Sequence, residues 1–440
     1  MQISEKFIFH IWDAQHLKTN LKTATGKDVQ ILYVGRWNNS SGPDFKDVVI
    51  KIENQILRGD VEIHQKVYDW QLHKHHEDPN FNNVVLHVVY DNSSDIKYTI
   101  NEAGDLIEIL EIQYFLDQSI SKLLEKYEGI SLSVKGDFCE YFAGKTSDIT
   151  SKLLEKNGIE RLHKKMRRFS SEMIFDDLDQ IAHQGILEAL GYNKNKFQML
   201  QLSRKITFDF IKKSKLKGMT KEQLLSIFIF SSSLSDHIPN NFPNQLKYKL
   251  ISLYTEQHFF LNKIDIDWKL FRIRPVNHPV NRIVQIIDFL WEASDSSIFN
   301  KFLTLFSFSD NQIDMKEFYF RLNKLFAPTD DNLPEHYRIG KTRLDTIGIN
   351  IIIPLVLLYA GKMNYKNLTE VTKNIYKNYR ALPKNHIESH MHRFMQQSQI
   401  KVVRKKAIYQ QGLLNLYYDF CKDHNCQICK AKLDADLAKM

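Results

Sequence analysis

The sequence predicts an α/β (α+β) N-terminal domain with a mixed sheet, followed by a large all-α region. Two observations predict this division of the 440-residue chain. In the first 115 residues, short runs alternate apolar and polar side chains with a period of two, as half-buried strands do. From residue 116 onward the apolar period becomes about 3.6 and stays helical almost to the end. We therefore expect domains over residues 1–115 and 116–440.

The individual elements have signals of their own. Residues 3–17 have the apolar pattern of an amphipathic helix. Strand patterns follow at residues 29–35, 45–52, 56–66, 83–90 and 98–112, separated by turns rich in Asn, Ser, Asp and Gly. In the helical region, Thr220 and Gln223 have the spacing of a capping box. The most apolar run, residues 347–360, contains Pro354 and falls short of the ~20 residues that span a bilayer, so we expect a buried, kinked helix.

Composition places the chain among ordinary soluble proteins. It is 43% hydrophobic and 25% charged, and its formal net charge of +8 permits a polyanionic partner such as nucleic acid. The N-terminal segment lacks the apolar core of a signal peptide, so we expect a cytoplasmic protein without a membrane partner. Four cysteines in so long a chain are too few for a disulfide scaffold.

Two carboxylates stand at the centre of the β-rich region. Asp44 begins the strand pattern over residues 45–52, and Glu62 lies in the next strand pattern. Side chains alternate along a strand, so Glu62, His64 and Lys66 lie on one face, opposite Val61, Ile63 and Val67. Carboxylates on adjacent strands suit Mg²⁺ or Mn²⁺, and a nearby cation orients or activates a water molecule.

This pattern resembles the PD-(D/E)XK nuclease superfamily. In that superfamily an Asp begins one strand, an E-x-K follows on the next strand, and a Glu often lies on the preceding helix. Asp44 after Pro43, Glu62 and Glu5 match those positions over the first quarter of the chain. The resemblance implies a Mg²⁺- or Mn²⁺-dependent nuclease. One position departs from it: the residue two after Glu62 is His64, and the nearest lysine is Lys66, so either side chain is the candidate for the lysine's role.

A second resemblance covers the whole chain. The motifs GPDF, GDVEIH, DWQLHKHHEDPNFNNVVLHVV, WKLFRIRPVNHPVNRI and CKDHNCQIC occur in this order. Together they are similar to a bacterial family of uncharacterised proteins, a domain of unknown function. This resemblance implies no activity, so the chemistry has to be argued from the residues.

Histidines crowd the same region and offer an alternative site. His73, His75 and Asp78 lie close together in sequence, and His87 lies within an apolar strand pattern. Neutral imidazole is a good ligand for Zn²⁺ or Fe²⁺ and titrates near neutral pH. The functional interpretation is a metal site or general base, here or beside the two carboxylates. The structural alternative is that these histidines pack and form hydrogen bonds within an ordered loop.

The cysteines form a third candidate site. Cys421, Cys426 and Cys429 are a compact triplet, and Cys139 is the only other cysteine. Four thiolates suffice for Zn²⁺ or a [4Fe–4S] cluster. This arrangement resembles that of some recombination nucleases, in which an iron–sulfur cluster joins a remote cysteine to a C-terminal triplet. The spacings and the domain order differ here. His424 is an alternative fourth zinc ligand, and free thiols are the simplest alternative.

Basic residues in the helical region are candidates for phosphate contacts. Seven of them fall in two groups, Lys164, Lys165, Arg167 and Arg168 in the first and Arg272, Arg274 and Arg282 in the second. Aromatic neighbours of the second group would present its guanidinium groups on a stiff segment. The ordinary alternative for each group is a solvated helix face.

From these observations we expect a metal-dependent phosphodiesterase, a nuclease acting on DNA or RNA. The first rival is a non-catalytic nucleic-acid-binding or scaffold protein that keeps the fold without the activity. The second rival is a His-rich metalloenzyme acting on a small substrate. Metal content separates the three: weakly bound Mg²⁺ or Mn²⁺ at the carboxylates, tightly bound Zn²⁺ or Fe²⁺ at the histidines, or no metal.

Overall fold

The structure of the chain is a computed structural model. It describes residues 3–38, 41–127, 139, 141–240, 242–256, 264, 266–308, 313–328, 337–423 and 425–439.

An eight-stranded mixed sheet organises the N-terminal part of the chain. Its strands are β1 (Leu21–Lys22), β2 (Asp28–Tyr33), β3 (Arg36–Trp37), β4 (Phe45–Ile52), β5 (Gln55–Lys66), β6 (Val84–Asp91), β7 (Tyr98–Ile100) and β8 (Leu106–Glu111). The strand order is β1-β2-β4-β5-β6-β8-β7, and β3 pairs with β4. β5 runs parallel to β6, and β6 parallel to β8, while the remaining pairs are antiparallel. The predicted mixed sheet is confirmed.

The two faces of the sheet have different coverings. Helix α1 (Glu5–Asp13) packs its apolar side chains, including Phe7 and Trp12, against Val61 and Ile63 of β5 in one core. A smaller cluster that contains Trp70 and Phe81 forms from the segment between β5 and β6. Because side chains alternate along β5, Glu62 and His64 point away from the α1 core.

The helical part follows from residue 116. One short helix, α2 (Asp69–Leu72), lies in the N-terminal part between β5 and β6. The helices of the helical part begin with α3 (Ile120–Tyr127), α4 (Ser147–Glu172), α5 (Leu178–Leu190), α6 (Tyr192–Lys205), α7 (Phe208–Leu216), α8 (Lys221–Phe230), α9 (Asn244–Glu256), α10 (Pro279–Ala293), α11 (Ile298–Leu303) and α12 (Met315–Leu325). They continue with α13 (Lys341–Ile347), α14 (Ile353–Lys362), α15 (Lys366–Asn378), α16 (His386–Met391), α17 (Gln397–Val403), α18 (Ala407–Asp419) and α19 (Cys426–Ala438). The predicted all-α region is confirmed, and Thr220 with Gln223 forms the expected capping box at α8.

The most apolar run is part of a longer interrupted helix. α13 continues through a π-helical turn, Gly348–Ile352, into α14, where Pro354 lies in the first turn. Among the described residues, Lys341–Lys362 is the one helix long and apolar enough to cross a membrane. However, 78% of its most apolar window is buried inside the protein, as in a core helix.

Contacts divide the chain into two compact units. The first comprises residues 1–141 and 416–440, and the second comprises residues 142–415. The first unit extends past the predicted boundary at residues 115 and 116 to residue 141, and the C-terminal 25 residues also return to it. Such a return has no local pattern in sequence, since it depends on long-range packing.

Candidate metal centre

Asp44 and Glu62 hold each other in place across the β4–β5 hairpin. The backbone N–H of Asp44 donates to Oε2 of Glu62 at 3.0 Å, and the backbone N–H of Ile63 donates to Oδ2 of Asp44 at 2.9 Å. The two carboxyl groups also lie close enough to interact electrostatically. The pair is therefore a single unit, as the adjacent strand patterns predicted.

The loop before Asp44 is shaped by glycine and by one asparagine. Gly42 has a φ of +89°, a conformation that side chains with a Cβ rarely adopt. The side-chain amide of Asn38 lies within hydrogen-bond distance of the carbonyls of Ser41, Gly42 and Pro43, at 3.1, 3.3 and 3.0 Å. The GPDF motif thereby brings the carboxylate of Asp44 to the edge of β5.

Three imidazoles form a group beside the carboxylate of Glu62, and two of them lie close to its Oε1. Ligand atoms of His64, His73 and His75 all lie within 4.8 Å of one another. Nε2 of His64 lies 3.1 Å from Nδ1 of His73 and 3.5 Å from Oε1 of Glu62. Nε2 of His75 lies 3.1 Å from the same Oε1. The carboxylate site and the histidine site, which the sequence offered as alternatives, are one cluster.

The segment after β5 brings two of these histidines back to the strand. His73 ends α2, and His75 begins a 3₁₀ turn, His75–Glu77. Between them Lys74 takes a left-handed conformation with φ of +61°, which reverses the chain within one residue. The ring of His75 stacks on Phe81 with centroids 3.8 Å apart. The structural interpretation of these histidines is therefore met at His75, which packs on Phe81, while the functional interpretation stays a prediction that their position near Glu62 allows.

His87 lies behind His64 and is fully buried. In the parallel pairing of β5 with β6, His87 is the register partner of Glu62. Its Nε2 lies 2.8 Å from Nδ1 of His64, and its Nδ1 has no hydrogen-bond partner among the described residues. If His64 donates from Nδ1 to His87, the lone pair of its Nε2 faces Glu62 and His73. A histidine ligand is usually oriented by such a hydrogen bond from its other ring nitrogen.

Burial decides the charge states of the cluster. It raises the pKa of both Asp44 and Glu62; the charge of Glu62 raises the pKa of Asp44 further, and the charge of Glu5 raises the pKa of both. Burial lowers the pKa of His64 to about 2 and that of His87 to about 3, and it also lowers the pKa of His75. His64, His75 and His87 are therefore neutral, and the carboxyl pair retains a proton up to a higher pH than free carboxyl groups do. A divalent cation bound beside the pair would displace that proton and favour the charged carboxylates.

Glu5 and Lys46 complete the electrostatic surroundings. Glu5, the first residue of α1, is half-buried and interacts electrostatically with His73 and His75. Lys46 places its ammonium 3.3 Å from Oδ2 of Asp60, and its charge lowers the pKa of Glu62. Lys46 was not among the residues predicted from the sequence. The one local indication of its role is that it is a polar residue two positions after Asp44.

Several predicted residues lie elsewhere. Lys66 is exposed near the end of β5. Asp78 accepts hydrogen bonds from Asn80, and it acts on His75 through its charge. Val67 packs with Val89 and Ile109 rather than in the α1 core that holds Val61 and Ile63. The prediction that Val61, Ile63 and Val67 share one face of the sheet is therefore wrong for Val67, because β5 ends at residue 66.

The site reaches solvent on the side of α2. His73 is exposed, whereas Glu62 and His64 are 6% and 1% exposed. Two large exposed side chains precede His73 in sequence, Tyr68 at 56% and Leu72 at 75%. The solvent-exposed border of the cluster is therefore formed by the segment from residue 68 to residue 75.

The basic groups of the helical unit divide into exposed and internal residues. Arg272 and Arg274 are exposed, and the guanidinium of Arg272 lies 5.0 Å from the ring centroid of Phe271. Arg282 is 5% exposed and donates hydrogen bonds to Gln285 and Asn277. A phosphate cannot reach a guanidinium buried in this way, so we remove Arg282 from the candidates.

In the other basic group, two of the four residues are held inside the helical unit. Lys165 donates hydrogen bonds to Asn350 and Gln411, and Arg168 pairs with Glu172 and Glu188. These two also leave the candidate set. Arg167 is exposed and Lys164 is half-buried, so both stay in it.

The cysteines form a separate group. Cys139, Cys421, Cys426 and Cys429 all belong to the N-terminal unit and form no disulfide. The alternative ligand His424 lies outside the described residues.

Comparison with known proteins identifies the family. A family model described as "Protein of unknown function (DUF2851)" matches residues 5–386, so the chain belongs to that family. No curated protein and no solved structure matches.

Proposed function

We propose that this member of a family of unknown function is a metal-dependent phosphodiesterase that hydrolyses DNA or RNA. The observation that carries the proposal is the convergence of the Asp44–Glu62 carboxyl pair with a group of three imidazoles, two of which lie within 3.5 Å of Oε1 of Glu62. The same pair, with Glu5 on the preceding helix, supplied the resemblance to PD-(D/E)XK nucleases. A mixed sheet in which an antiparallel hairpin precedes a parallel strand is consistent with it.

The residues present fit a divalent cation. Nε2 of His75 is buried and has no hydrogen bond within the part of the chain that the structure describes, although it lies 3.1 Å from Oε1 of Glu62, so the pair is close but not aligned for one. An ion between them would satisfy both atoms. Glu62, His64, His73 and His75 are the residues that would hold it. Imidazole ligands favour Mn²⁺, Zn²⁺ or Fe²⁺ over Mg²⁺, which prefers oxygen.

The chemistry follows from what each side chain does. When bound, a divalent cation polarises a phosphoryl oxygen and lowers the pKa of bound water. Asp44 fixes Glu62 through its backbone N–H and adds a second carboxylate to the site. His87 orients the ring of His64 from behind. Lys46, which is 22% exposed at its side chain, supplies a positive charge beside Glu62 for the non-bridging oxygens of the substrate.

A polyanionic substrate suits the charge of the chain. The net charge is +8, and Arg272 and Arg274 are exposed on a segment with the exposed ring of Phe271. Guanidinium groups bind phosphates, and exposed aromatic rings stack on unpaired bases. These features favour a nucleic acid over a small phosphodiester.

A second candidate function is a metalloenzyme acting on a small substrate. The observation that favours it is the imidazole-rich ligand set, which is more typical of Zn²⁺ or Fe²⁺ enzymes than of Mg²⁺ nucleases. In that case the same residues hold the ion, and the basic residues of the helical unit have no part in catalysis.

The test is a cleavage assay on a panel of substrates. Purified protein is incubated with single-stranded, duplex and branched DNA and with RNA. Each substrate is tested with Mn²⁺, with Mg²⁺, with Zn²⁺, with Fe²⁺ under anaerobic conditions, and with a chelator. We expect cleavage that requires the ion and is lost in Glu62→Gln. The control is Asp95→Asn, an acid-to-amide change at a side chain that is 83% exposed in the same unit. Tight metal binding without cleavage of any nucleic acid would favour the small-substrate enzyme instead.

A further inference from the structure

The four cysteines lie in one compact unit although two parts of the chain supply them. Cys139 and Cys421 are 282 positions apart in sequence, yet both belong to the unit formed by residues 1–141 and 416–440. Tyr141, two residues after Cys139, donates a hydrogen bond from its hydroxyl to Oδ1 of Asp434 on α19 at 2.9 Å. The ammonium of Lys422 lies 4.4 Å from the ring centroid of Trp37 in β3. The C-terminal segment is therefore anchored to the rest of the unit on both sides of Cys426 and Cys429.

Local structure brings the triplet together. Cys421 begins a 3₁₀ turn, Cys421–Asp423, and Cys426 is the first residue of α19. The backbone N–H of Asn425 donates to the carbonyl of Phe420 at 2.9 Å, which closes the loop between these two cysteines. Cys429 follows three residues later on α19, and residues three apart lie on the same side of a helix.

The remote cysteine meets this triplet. Cys421 lies close enough to Cys139 and Cys426 for electrostatic interaction, and Cys429 lies close enough to all three other cysteines. Cys429 is 9% exposed, Cys139 and Cys421 are half-buried, and Cys426 is exposed. Four thiols from three parts of the chain therefore interact at one place that is partly open to solvent.

We propose that Cys139, Cys421, Cys426 and Cys429 bind one [4Fe–4S] cluster. The spacing of the thiols distinguishes this cluster from zinc. Tetrahedral Zn²⁺ with bonds of ~2.3 Å holds sulfur atoms about 4 Å apart, whereas a cubane cluster holds them about 6–6.5 Å apart. Among the described residues, only the histidine group of the candidate metal centre has three ligand atoms that all lie within 4.8 Å. The cysteine sulfurs are therefore too widely spaced for a preformed zinc site.

Binding is a ligand exchange from a preassembled cluster. Four iron–thiolate bonds form while four bonds to the ligands of the donor break, and the thiol protons pass to those ligands or to solvent. The oxidation state of the cluster does not change. Because the bonds join residue 139 to the C-terminal segment, the cluster closes a loop of over 280 residues, and its binding energy becomes folding energy of the N-terminal unit.

The test is metal and sulfide analysis of the full-length protein purified under anaerobic conditions. We expect brown protein with about four iron atoms and four sulfide ions per chain, and visible absorption that decreases on reduction. Single Cys139→Ser and Cys426→Ser variants should lose most of the iron and sulfide. Glu62→Gln is the matched control and should keep both, because the inference does not depend on the proposed nuclease activity.

Three results would overturn the inference. They are colourless protein with one zinc per chain, metal-free protein whose four thiols all react with a thiol reagent in the native state, and iron that both serine variants retain. Circular dichroism of the variants checks that they fold. If a variant does not fold, the iron and sulfide content of the unmodified protein still decides between the cluster and the alternatives.

Discussion

Nδ1 of His64 lies 2.8 Å from Nε2 of His87, and both rings are buried. The contact joins two adjacent parallel strands directly behind the carboxylate of Glu62. A buried ring with one nitrogen held in this way presents its other nitrogen in a fixed direction. Much of the proposed site therefore depends on a residue that would never contact the substrate.

His87→Leu tests this positioning role. The change leaves Nδ1 of His64 without a partner, so we expect metal affinity to fall about 10–100-fold. The free energy of unfolding should fall by about 1–3 kcal/mol, because a buried donor is left unsatisfied. His87→Gln, whose amide oxygen can accept from His64, should recover part of the affinity. Calorimetric titration with Mn²⁺ measures both variants, and equal affinity in His87→Leu and the unmodified protein would contradict the role.

The carboxyl pair should make the metal-free protein sensitive to pH. Burial raises the pKa of Asp44 and Glu62 above the ordinary carboxyl value of about 4.3, so the folded state holds more protons than the unfolded state above that value. The free energy of unfolding therefore falls as pH rises through this window. Glu62→Gln should flatten the fall and be more stable than the unmodified protein near pH ~8, by on the order of 1 kcal/mol.

Urea unfolding in chelator between pH ~4.5 and ~8.5 measures this effect. Asp95→Asn, which removes an exposed carboxylate, should follow the unmodified protein throughout. Parallel curves for Glu62→Gln and the unmodified protein would show that the pair is not destabilising.

Lys46 and Lys66 are the two candidates for the ammonium group that acts beside the carboxylates, and we expect Lys46 to have this role. Lys46 interacts with Asp60 and its charge reaches Glu62, whereas Lys66 is exposed further along β5. Lys46→Met should lower the single-turnover cleavage rate by about 10²-fold, the typical effect of removing one group that stabilises developing charge. Lys66→Met is the matched control and should change it less than about threefold. The reverse order would restore Lys66 to the role that the E-x-K resemblance suggested.

Arg272 and Arg274 should contribute to nucleic-acid affinity. Each phosphate contact adds about 0.9 to the slope of log affinity against log salt, so replacing both with Ala should reduce the slope by roughly two. The charge-matched control is Lys316→Ala with Lys324→Ala, two exposed residues on α12 of the same unit. Binding of a labelled oligonucleotide across a salt series measures the slopes. Equal slopes in both double variants would remove these arginines from the interface.

The central features of the site could be predicted because they follow from local rules. Alternation along β5 places Glu62 and His64 on one face, and the turn before β4 places Asp44 beside them. The sequence allowed a position of His73 and His75 beside the carboxylates only as one of two alternatives. It depends on one left-handed residue, Lys74, and on packing of the loop against Phe81.

Other features depend on long-range structure. The position of Lys46 depends on an irregularity between Phe45 and Val48, where Asp47 has a φ of +59° and the β4–β5 register shifts. The burial of Arg282 depends on packing around α10, which a charge count does not reveal. The return of the C-terminal segment to the N-terminal unit had one sequence signal, the division of four cysteines into one and three.

Anomalous diffraction from crystals grown with Mn²⁺ and a non-cleavable oligonucleotide tests the central claim most directly. The account predicts one strong manganese peak bonded to Oε1 of Glu62 and to the nitrogens of His64 and His75, with a phosphate oxygen of the oligonucleotide completing its coordination. The peak should vanish in crystals of Glu62→Gln. Manganese bound elsewhere, or an oligonucleotide whose phosphates lie far from Glu62, would contradict the claim.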